Sequence, residues 1–392
     1  MRKFMIAASL VFAAVGAIGC VGPDEEPVER NASPLIGSGG GDFHGFPGVR
    51  GFTAETGQHT AVFREDNGTN LLEARGTPFG APFGIAGALA ERSSPWGYRR
   101  HDGKEAILYV DSLHHVHEIT IAAGNVDLFT VFGLNAPNVA PAPSFCPTPD
   151  VIGYVRSDNQ SAVVYRSETD HIIELRSNFG GQPQWLVTDL TVTSGAAVTA
   201  SQGSPFPYLR SDFVNTIVYL ASDDHIHELS SLGNGTWFDS DLFAAAGATA
   251  TPTTEPWGYK RSDGVNSVVF VDSASKVREL TLSGGYWTLY TLPSAFAMSG
   301  PFARPSGYVR PGPVNAVVYQ ALGGTVHELS LSGGAWTDAV LPTPGITARG
   351  QLFGHAAPGN RSSVLFSGQM MGTYHRYELS LPFGGQWGLQ QF

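Results

Sequence analysis

Charged residues are scarce in this chain, and cysteine is nearly absent. Asp, Glu, Lys and Arg make up 15% of the 392 residues, below the quarter that is usual for globular domains. Two cysteines cannot build a disulfide framework. The 34 acidic residues outnumber the 23 basic ones, and the net charge of -11 repels a phosphate backbone. These shortages exclude a disulfide-stapled scaffold and argue against a nucleic-acid partner.

Helical periodicity is also missing from the body of the chain. The small apolar stretch 244–250 is followed by Pro252 and Pro256, and it builds no amphipathic face. Gly (48) and Pro (26) together make 74 residues, or 19%, which falls short of a disordered composition. Hydrophobic residues at 42% and aromatic residues at 11% suffice for a large core. This composition is typical of a turn-rich β protein and not of a coiled coil, a helical bundle or a disordered chain.

The motifs of common catalytic and metal sites are not found either. We find no Gly-x-Ser-x-Gly elbow between a strand and a helix, no phosphate-binding loop and no dinucleotide fingerprint. His117 and His227 are each followed by Glu, but neither has the second His of a His-Glu-x-x-His motif. The His clusters at 114–117 and 225–227 lack an obvious full ligand set, and no unique acidic pair stands out. We therefore predict no enzyme activity, no metal and no cofactor.

The N-terminal segment has the pattern of a targeting signal. Two basic residues precede an apolar run, residues 5–17, which is shorter than the ~20 residues that span a bilayer. Small residues then lead to Cys20, which resembles a bacterial lipoprotein signal and implies cleavage after residues 1–19 and lipid, such as palmitate, on Cys20. The alternative is an ordinary secretory signal that happens to contain a Cys. Residues 20–45 are acidic, then rich in Gly and Ser, which predicts a flexible tether. Val21 as the second mature residue favours the outer membrane or cell surface.

One unit recurs along the rest of the chain. A full copy has a Tyr-x-Arg-like segment, an apolar run, a segment with Glu, and a Gly-containing turn before Trp, as residues 256–287 show. The Glu recurs at intervals of 45, 56, 54, 51, 49 and 50 residues. The first copy is clearest over 63–73, and the last is stretched by an insertion around 370–374. The seven marker residues are Glu73, Glu118, Glu174, Glu228, Glu279, Glu328 and Glu378.

Each copy predicts four short strands. The runs are rich in Val, Ile, Tyr and Trp and are separated by Gly, Asp, Ser and Pro, which indicates hairpin turns. Four strands every ~50 residues are typical of one blade of a β-propeller. We therefore predict an all-β fold over residues 46–392, a seven-bladed β-propeller of four-stranded antiparallel blades. The alternative is an array of separate sheets, but a lone blade could not bury its own faces.

The repeated polar and aromatic residues are the candidates for a binding site. Side chains alternate faces along a strand, so the Tyr and the Arg of one Tyr-x-Arg segment share a face. A carboxylate and a guanidinium can bind vicinal hydroxyls, and an indole can stack on the apolar face of a sugar ring. The alternative is a structural role, in which the Glu pairs within the fold and the aromatic rings pack between sheets. The candidates are Trp185, Trp237, Trp287, Trp336, Trp387, Glu174, Glu228, Glu279, Glu328, Tyr154, Tyr208, Tyr259, Tyr308, Arg156, Arg210, Arg261 and Arg310.

The repeats resemble those of the fungal fucose-specific lectin propellers and of the related seven-bladed bacterial lectins. The resemblance rests on the apolar-Tyr runs at 162–165 and 316–319, on the Glu segment after each run, and on the Gly-Gly-x-Trp turn. It implies a propeller over about residues 45–392 with several carbohydrate sites. The family's Arg at the start of the apolar-Tyr run is missing. The residues found there are Ala162-Val163, Thr216-Ile217, Ser267-Val268 and Ala316-Val317.

The predicted function is therefore a surface-anchored, multivalent, lectin-like propeller that binds glycans and contacts the membrane through lipid on Cys20. The alternative is a propeller scaffold that binds protein partners, with the repeated residues purely structural. Lectin sites should recur between blades, whereas a protein-binding face should use the variable loops.

Overall fold

The computed structural model of the chain describes residues 49–53, 57–65, 70–77, 79–88, 94–120, 124–131, 136–140, 151–178, 184–199, 203–298 and 303–392. The predicted signal peptide (1–19), the predicted tether (20–45) and Cys20 lie outside the described residues. Within the described ranges, 28 strands form seven four-stranded sheets, and three short helices connect some of them.

Each sheet is built from four strands that follow one another in the chain and pair antiparallel, so each sheet is one blade. Blade 1 holds β1 (Arg50–Thr53), β2 (His59–Arg64), β3 (Asn70–Arg75) and β4 (Phe83–Ala88). Blade 2 holds β5 (Trp96–Arg99), β6 (Glu105–Val110), β7 (Val116–Thr120) and β8 (Gly124–Asp127). Blade 3 holds β9 (Ile152–Val155), β10 (Ser161–Arg166), β11 (Ile172–Asn178) and β12 (Gln184–Asp189). Blade 4 holds β13 (Phe206–Leu209), β14 (Asn215–Leu220), β15 (Ile226–Ser231) and β16 (Phe238–Asp241).

The remaining blades follow the same order. Blade 5 holds β17 (Trp257–Lys260), β18 (Asn266–Val271), β19 (Val277–Ser283) and β20 (Tyr286–Thr291). Blade 6 holds β21 (Ser306–Arg310), β22 (Val314–Gln320), β23 (Val326–Ser332) and β24 (Ala335–Val340). Blade 7 holds β25 (Thr347–Ala357), β26 (Arg361–Met370), β27 (Thr373–Pro382) and β28 (Gly388–Gln391). The predicted insertion in the last copy lengthens the hairpin between β26 and β27, which pair out to Met370 and Thr373.

The first strands of successive blades contact one another, and β25 contacts both β21 and β1. The seven sheets therefore close into a ring with the first strands at its centre. This confirms the predicted seven-bladed β-propeller of four-stranded antiparallel blades, and it excludes an array of separate sheets.

Burial changes from the inner to the outer strands of a blade. Every residue of the second strands β6, β10 and β18 is buried, whereas β20 and β24 alternate between exposed and half-buried residues. A second strand has a neighbouring blade on each of its faces, so it needs a continuous apolar sequence. An outer strand has one solvated face, so its apolar residues come at every second position.

Glycines in the first strands let neighbouring blades approach closely. The ring of Tyr259 lies against Gly307 of the next blade, where an added Cβ would come within 2.3 Å of the ring. The same contact joins Phe52 to Gly97, Tyr98 to Gly153, Tyr208 to Gly258, Tyr308 to Gly354 and His355 to Gly51. Phe52 and His355 thus take the position of the repeated Tyr in the first and last blades.

Blades 7 and 1 meet at a seam, which we define by the contacts of β25–β28 and Phe392 with blade 1. No strand is exchanged there, since each of the two blades is built from four consecutive strands. Gln390 Nε2 donates to the carbonyl of Phe79 over 3.0 Å, and the Phe392 ring packs on the Phe79 ring at 4.7 Å between centroids. The imidazoles of His59 and His355 meet across the seam as well. Side chains therefore carry much of the ring closure.

Short helices follow the last strands of blades 2, 3 and 4. They are α1 (Leu128–Val131), α2 (Leu190–Ser194) and α3 (Leu242–Ala246). Helix α3 begins just before, and ends within, the stretch 244–250 for which the sequence predicts no helix, so that prediction is wrong there. One turn suffices because Asp241 caps its first amides and Leu242 and Phe243 are buried. In the described part of the chain, no helix combines the length and apolarity that crossing a membrane requires.

Candidate functional site

Two kinds of turn emerge on one side of the ring, which we call the front face. The first and third strands of an antiparallel blade run in the same direction, so the turns that follow both strands lie at the same end. In blade 5 these are the turns before β18 and before β20. The opposite side, the back face, carries the turns between second and third strands.

In blades 2 to 6, the repeated Glu of the third strand is buried and is bonded by the first strand of its own blade or by the residue that follows that strand. In blade 3, Arg156 Nη1 donates to Glu174 at 2.7 and 2.9 Å, and the hydroxyl of Tyr154 donates to Glu174 at 2.8 Å. The same arrangement occurs in blade 6, where Arg310 and Tyr308 donate to Glu328 at 2.7 and 2.6 Å. Arg210 donates to Glu228 over 2.8 Å, and Arg261 to Glu279 over 3.4 Å. Blade 2 contributes a further set, with Tyr98 and Arg100 on Glu118.

Desolvation dominates the electrostatics of the repeated Glu in blades 4 to 6. Burial raises the pKa of Glu228 to about 7, although Arg210 counteracts the shift. Burial likewise raises the pKa of Glu279 and of Glu328, against the effect of their Arg partners. Each Glu is 1–3% exposed in blades 3 to 6. The Glu therefore positions the Arg, and in blades 4 to 6 the Arg side chain, at 12–22% exposure, is the group nearer to solvent.

The predicted Tyr residues lie inside the ring. Tyr154, Tyr208, Tyr259 and Tyr308 are 6–8% exposed, and three of them pack on a glycine of the next blade. Their hydroxyls point toward the buried Glu where a bond forms, as in blades 3 and 6. Packing between blades accounts for this part of the repeat.

The predicted Trp residues fall into two groups. Trp185 and Trp237 are buried, at 5% and 3% exposure. Trp287, Trp336 and Trp387 are half-buried on the outer strand or on the turn before it. In three places the Trp of one blade approaches the Arg of the preceding blade. The guanidinium carbon lies 5.6, 6.0 and 5.9 Å from the indole ring centroid in the pairs Arg156–Trp237, Arg261–Trp336 and Arg310–Trp387. The structure therefore joins Glu, Arg and Tyr within a blade and adds the Trp from the next blade.

A cleft of about 350 Å³ opens on the front face between blades 4 and 5. Arg210, Ser211 and Asp212 line one wall. The other wall comes from blade 5, from Asp263 to Asn266 and from Leu282 to the Gly284-Gly285 turn that precedes Trp287. Arg210 spans two carboxylates, because its Nη2 donates to Asp212 over 2.7 Å while its Nη1 binds Glu228.

A second cleft, of about 190 Å³, opens at the corresponding place between blades 6 and 7. It is lined by Arg310, Gly312, Ser362 and the turn from Leu381 to Gly385, which includes Phe383. In blades 3, 4 and 5 an Asp follows two residues after the Arg and bonds to it. Blade 6 has Gly312 at that position, so the Arg310 guanidinium is balanced by Glu328 without a second carboxylate from its own turn.

The corresponding place between blades 3 and 4 is closed. Arg156 has no exposed side-chain surface, and Trp237 is buried. The turn before Trp237 is longer than the Gly-Gly turns of blades 5 and 6, and its Gly233 lies against Ser157 and Asp158 of blade 3. In blade 4 this turn therefore fills the space between the two blades.

Sequence reasoning missed the residues that join the cleft walls. Asn215, Asn266 and Asn315 accept a hydrogen bond from a turn amide of the preceding blade, at 2.7, 2.7 and 2.6 Å. The sequence does contain a signal for these Asn residues, because the dipeptide Val-Asn precedes the apolar run in all three copies. The Gly or Pro directly before each repeated Tyr was a second unused signal.

No protein-family model matches the chain, and no curated protein matches it. Among solved structures, it is similar to AofleA from Arthrobotrys oligospora, with 12% identity, a TM-score of 0.53, and 77% of this chain and 86% of that chain covered. It is also similar to polysaccharide lyase Uly1, with 10% identity, a TM-score of 0.50, and 86% and 90% covered. A fungal lectin from Aleuria aurantia, described as a six-bladed β-propeller that recognises fucose, shows 16% identity, a TM-score of 0.48, and 73% and 89% covered. At these identities the first two comparisons show a similarity of fold alone.

Proposed function

We propose that this propeller binds carbohydrate in the front-face clefts between adjacent blades. The observation that supports the proposal is that a buried Glu holds an Arg at a polar cleft in both places, and that between blades 6 and 7 the Trp387 ring of the next blade lies near that Arg. Arg donors and neighbouring carboxylates suit vicinal hydroxyls, and a half-buried indole suits the apolar face of a sugar ring. A guanidinium held in place by a buried partner loses little conformational entropy when a ligand binds.

Two clefts are the proposed sites, one between blades 4 and 5 and one between blades 6 and 7. The larger, at about 350 Å³, falls within the usual range of about 300–1,000 Å³ for ligand pockets. Asp212 and Asp263 line it, which favours a neutral sugar with several hydroxyl donors. The smaller contains Arg310 without an Asp in the same turn, so it accommodates an acidic sugar at lower electrostatic cost. The closed place between blades 3 and 4 binds none.

Glycan-array screening of the purified protein followed by calorimetry tests the proposal. Trp287→Ala and Trp387→Ala each remove one ring without leaving a buried charge unpaired. We expect each substitution to weaken binding at its own cleft by about 1–3 kcal/mol, or roughly 5- to 150-fold. Tyr290→Ala is the matched control, because Tyr290 is exposed on the same strand as Trp287 but three residues further on, so its side chain points to the other face.

A blank array with densely presented glycans contradicts the proposal, as does binding that neither Trp substitution weakens. The alternative of a scaffold for protein partners would then apply. We also expect binding without turnover. Incubation with the bound polysaccharide should therefore produce no shorter or unsaturated fragments, and fragments would reassign the clefts to a lyase.

We further propose that lipid on Cys20 anchors the propeller to the outer membrane or cell surface, with residues 20–45 as the tether. The motif that ends in Cys20 supports this part of the proposal. Expression of the full-length protein and of Cys20→Ala in a bacterium, followed by detergent-phase partitioning, tests it. The wild-type protein should enter the detergent phase and the variant should not. Equal partitioning of the two would refute the anchor.

A further inference from the structure

Four metal-ligating side chains meet on the back face of blade 4, away from the clefts. Asp223 and His225 belong to the turn between β14 and β15, His227 lies in β15, and Asp241 ends β16. Each offers one nitrogen or oxygen, and these four atoms lie within 4.8 Å of one another. Within the described ranges, this is the one group of three or more His, Cys, Asp or Glu side chains that meets this condition.

The spacing is near that of a tetrahedral metal site. His225 Nδ1 lies 2.9 Å from Asp241 Oδ2, and His227 Nε2 lies 3.2 Å from Asp223 Oδ2. Zinc bonds of about 2.0–2.1 Å in a tetrahedron place neighbouring ligand atoms about 3.3 Å apart. Small rotations of the exposed Asp223 and of His225 therefore suffice to surround an ion.

Neighbouring groups orient two of the ligands. Asp241 Oδ1 accepts from the amides of Phe243 and Ala244 at the start of α3, which leaves Oδ2 facing the cluster. His227 Nδ1 lies 3.0 Å from Asp239 Oδ2, and the hydroxyl of Tyr219 donates to the other oxygen of Asp239 over 2.8 Å. A carboxylate that accepts the Nδ1 proton of a histidine leaves Nε2 as the free lone pair, and metal-binding histidines are commonly held in this way.

The other blades lack this combination at the same positions. Blade 5 has Lys276 and Arg278 in place of the two histidines, and blade 3 has Ile173 in place of the second. Blade 2 retains His115 and His117, with carboxylate oxygens of Asp127 and Asp111 at 3.1 and 3.0 Å from them. Its ligand atoms do not all lie within 4.8 Å of one another, and Nδ1 of His117 faces the amide oxygen of Asn125, where blade 4 has a carboxylate. The cluster is thus particular to blade 4, and repetition of the blade alone does not account for it.

We propose that Asp223, His225, His227 and Asp241 form a zinc site on the back face. Two imidazoles and two carboxylates match the ligand preference of Zn²⁺ and disfavour Ca²⁺ and Mg²⁺, which take oxygen ligands. Bound zinc joins the β14–β15 turn, β15 and the start of α3, so it stabilises this side of the blade. The full ligand set is not evident from the sequence, because Asp241 comes from the next strand and Asp223 from the preceding turn.

Zinc titration of the chelator-treated, full-length protein, followed by calorimetry and thermal unfolding, tests the site. Asp241→Asn keeps an oxygen to cap α3 but loses the carboxylate, and His227→Gln removes a nitrogen ligand. We expect one Zn²⁺ per chain, a rise in Tm with zinc, and at least tenfold weaker binding in both variants. Asp239→Asn, which touches no metal, should weaken binding about 10- to 100-fold.

His117→Gln in blade 2 is the matched control and should leave zinc affinity unchanged. Unfolding without zinc shows whether each variant is folded. If the wild-type protein binds no more zinc than folded His227→Gln, or if His117→Gln loses the ion equally, the four residues form hydrogen bonds only and the proposal is wrong. Glycan binding at the front face is measured separately, so either proposal can fail without the other.

Discussion

The seam between blades 7 and 1 encloses His59 and His355, whose Nε2 atoms lie 2.8 Å apart. Arg361 donates to Nδ1 of His59 over 2.8 Å. Because a guanidinium only donates, the single proton of neutral His59 is on Nε2, and His355 Nε2 is the acceptor. Protonation of either ring places one N–H donor against another. The folded ring therefore requires both imidazoles to be neutral.

Burial, the facing imidazole and the Arg361 guanidinium all disfavour a charge on His59. Desolvation, then His355 and Arg361, lower the pKa of His59 to about 2. Desolvation and Arg361 lower the pKa of His355 to about 3. Glu378 lies 3.4 Å from His59 Nδ1, but burial raises the pKa of that carboxyl group too, which weakens its support for a charged imidazole.

The consequence is a loss of stability in mild acid. An unfolded histidine has a pKa of about 6.5, so below that pH the unfolded chain binds protons that the folded ring does not. The free energy of unfolding then falls by about 1.4 kcal/mol per pH unit for each histidine. From about pH 7 to about pH 5 the pair accounts for a loss of about 4 kcal/mol, a large fraction of the 5–15 kcal/mol typical of a folded protein.

Urea denaturation of the wild-type protein and of His355→Gln, at intervals from about pH 5 to about pH 8.5, measures this loss. The Gln side-chain oxygen can accept the His59 proton, but it does not titrate. We expect the acid-induced loss to be smaller in the variant by about 2 kcal/mol, the share of one histidine. Above about pH 7.5 both histidines are neutral in either state, so the offset between the two proteins should be constant. Parallel profiles between about pH 5 and pH 7 would refute the reasoning.

Two further predictions concern packing. Gly307→Ala should destabilise the ring by about 1–3 kcal/mol, since the added Cβ meets the Tyr259 ring; Gly388→Ala, where the nearest neighbour of a Cβ is 3.9 Å away, should change stability by less than about 0.5 kcal/mol. Equal effects in chemical denaturation would contradict this. Trp237→Ala should cost about 3–5 kcal/mol of stability because its ring is buried, and half-buried Trp287→Ala should cost clearly less. Thermal unfolding compares the two, and an equal loss would place Trp287 in the core.

The architecture could be predicted from the sequence because every blade repeats the same pattern of short apolar runs, turn residues and a Glu. The interval between successive Glu residues set the blade length, and even the degraded first copy forms four strands. The site was only partly readable. That Arg156 and Glu174 belong to one blade follows from the order of segments in the repeat, but the approach of Trp237 from the next blade depends on how the sheets pack. Whether a cleft opens depends on how the turn before the outer strand packs against the preceding blade, and such a turn gives no periodic signal.

The equivalence of Tyr and His at one position could not be predicted either. That His355 occupies the position of the repeated Tyr is evident only from its contact with Gly51 in the closed ring. Helix α3 was missed for a related reason, since a one-turn helix needs a cap and two buried residues and has no room for a periodic pattern.

The seam also sets the order in which the ring assembles. Strand pairing within a blade joins residues close in sequence, whereas His59 and His355 are 296 positions apart, and Arg376 and Arg64, which are hydrogen-bonded, are 312 apart. Closing a loop of ~300 residues costs about 1.6 kcal/mol more in chain entropy than closing one of ~50. The blades therefore form before the seam closes. During synthesis, blade 1 leaves the ribosome first and keeps its seam side open to solvent and to other chains until blade 7 has been made.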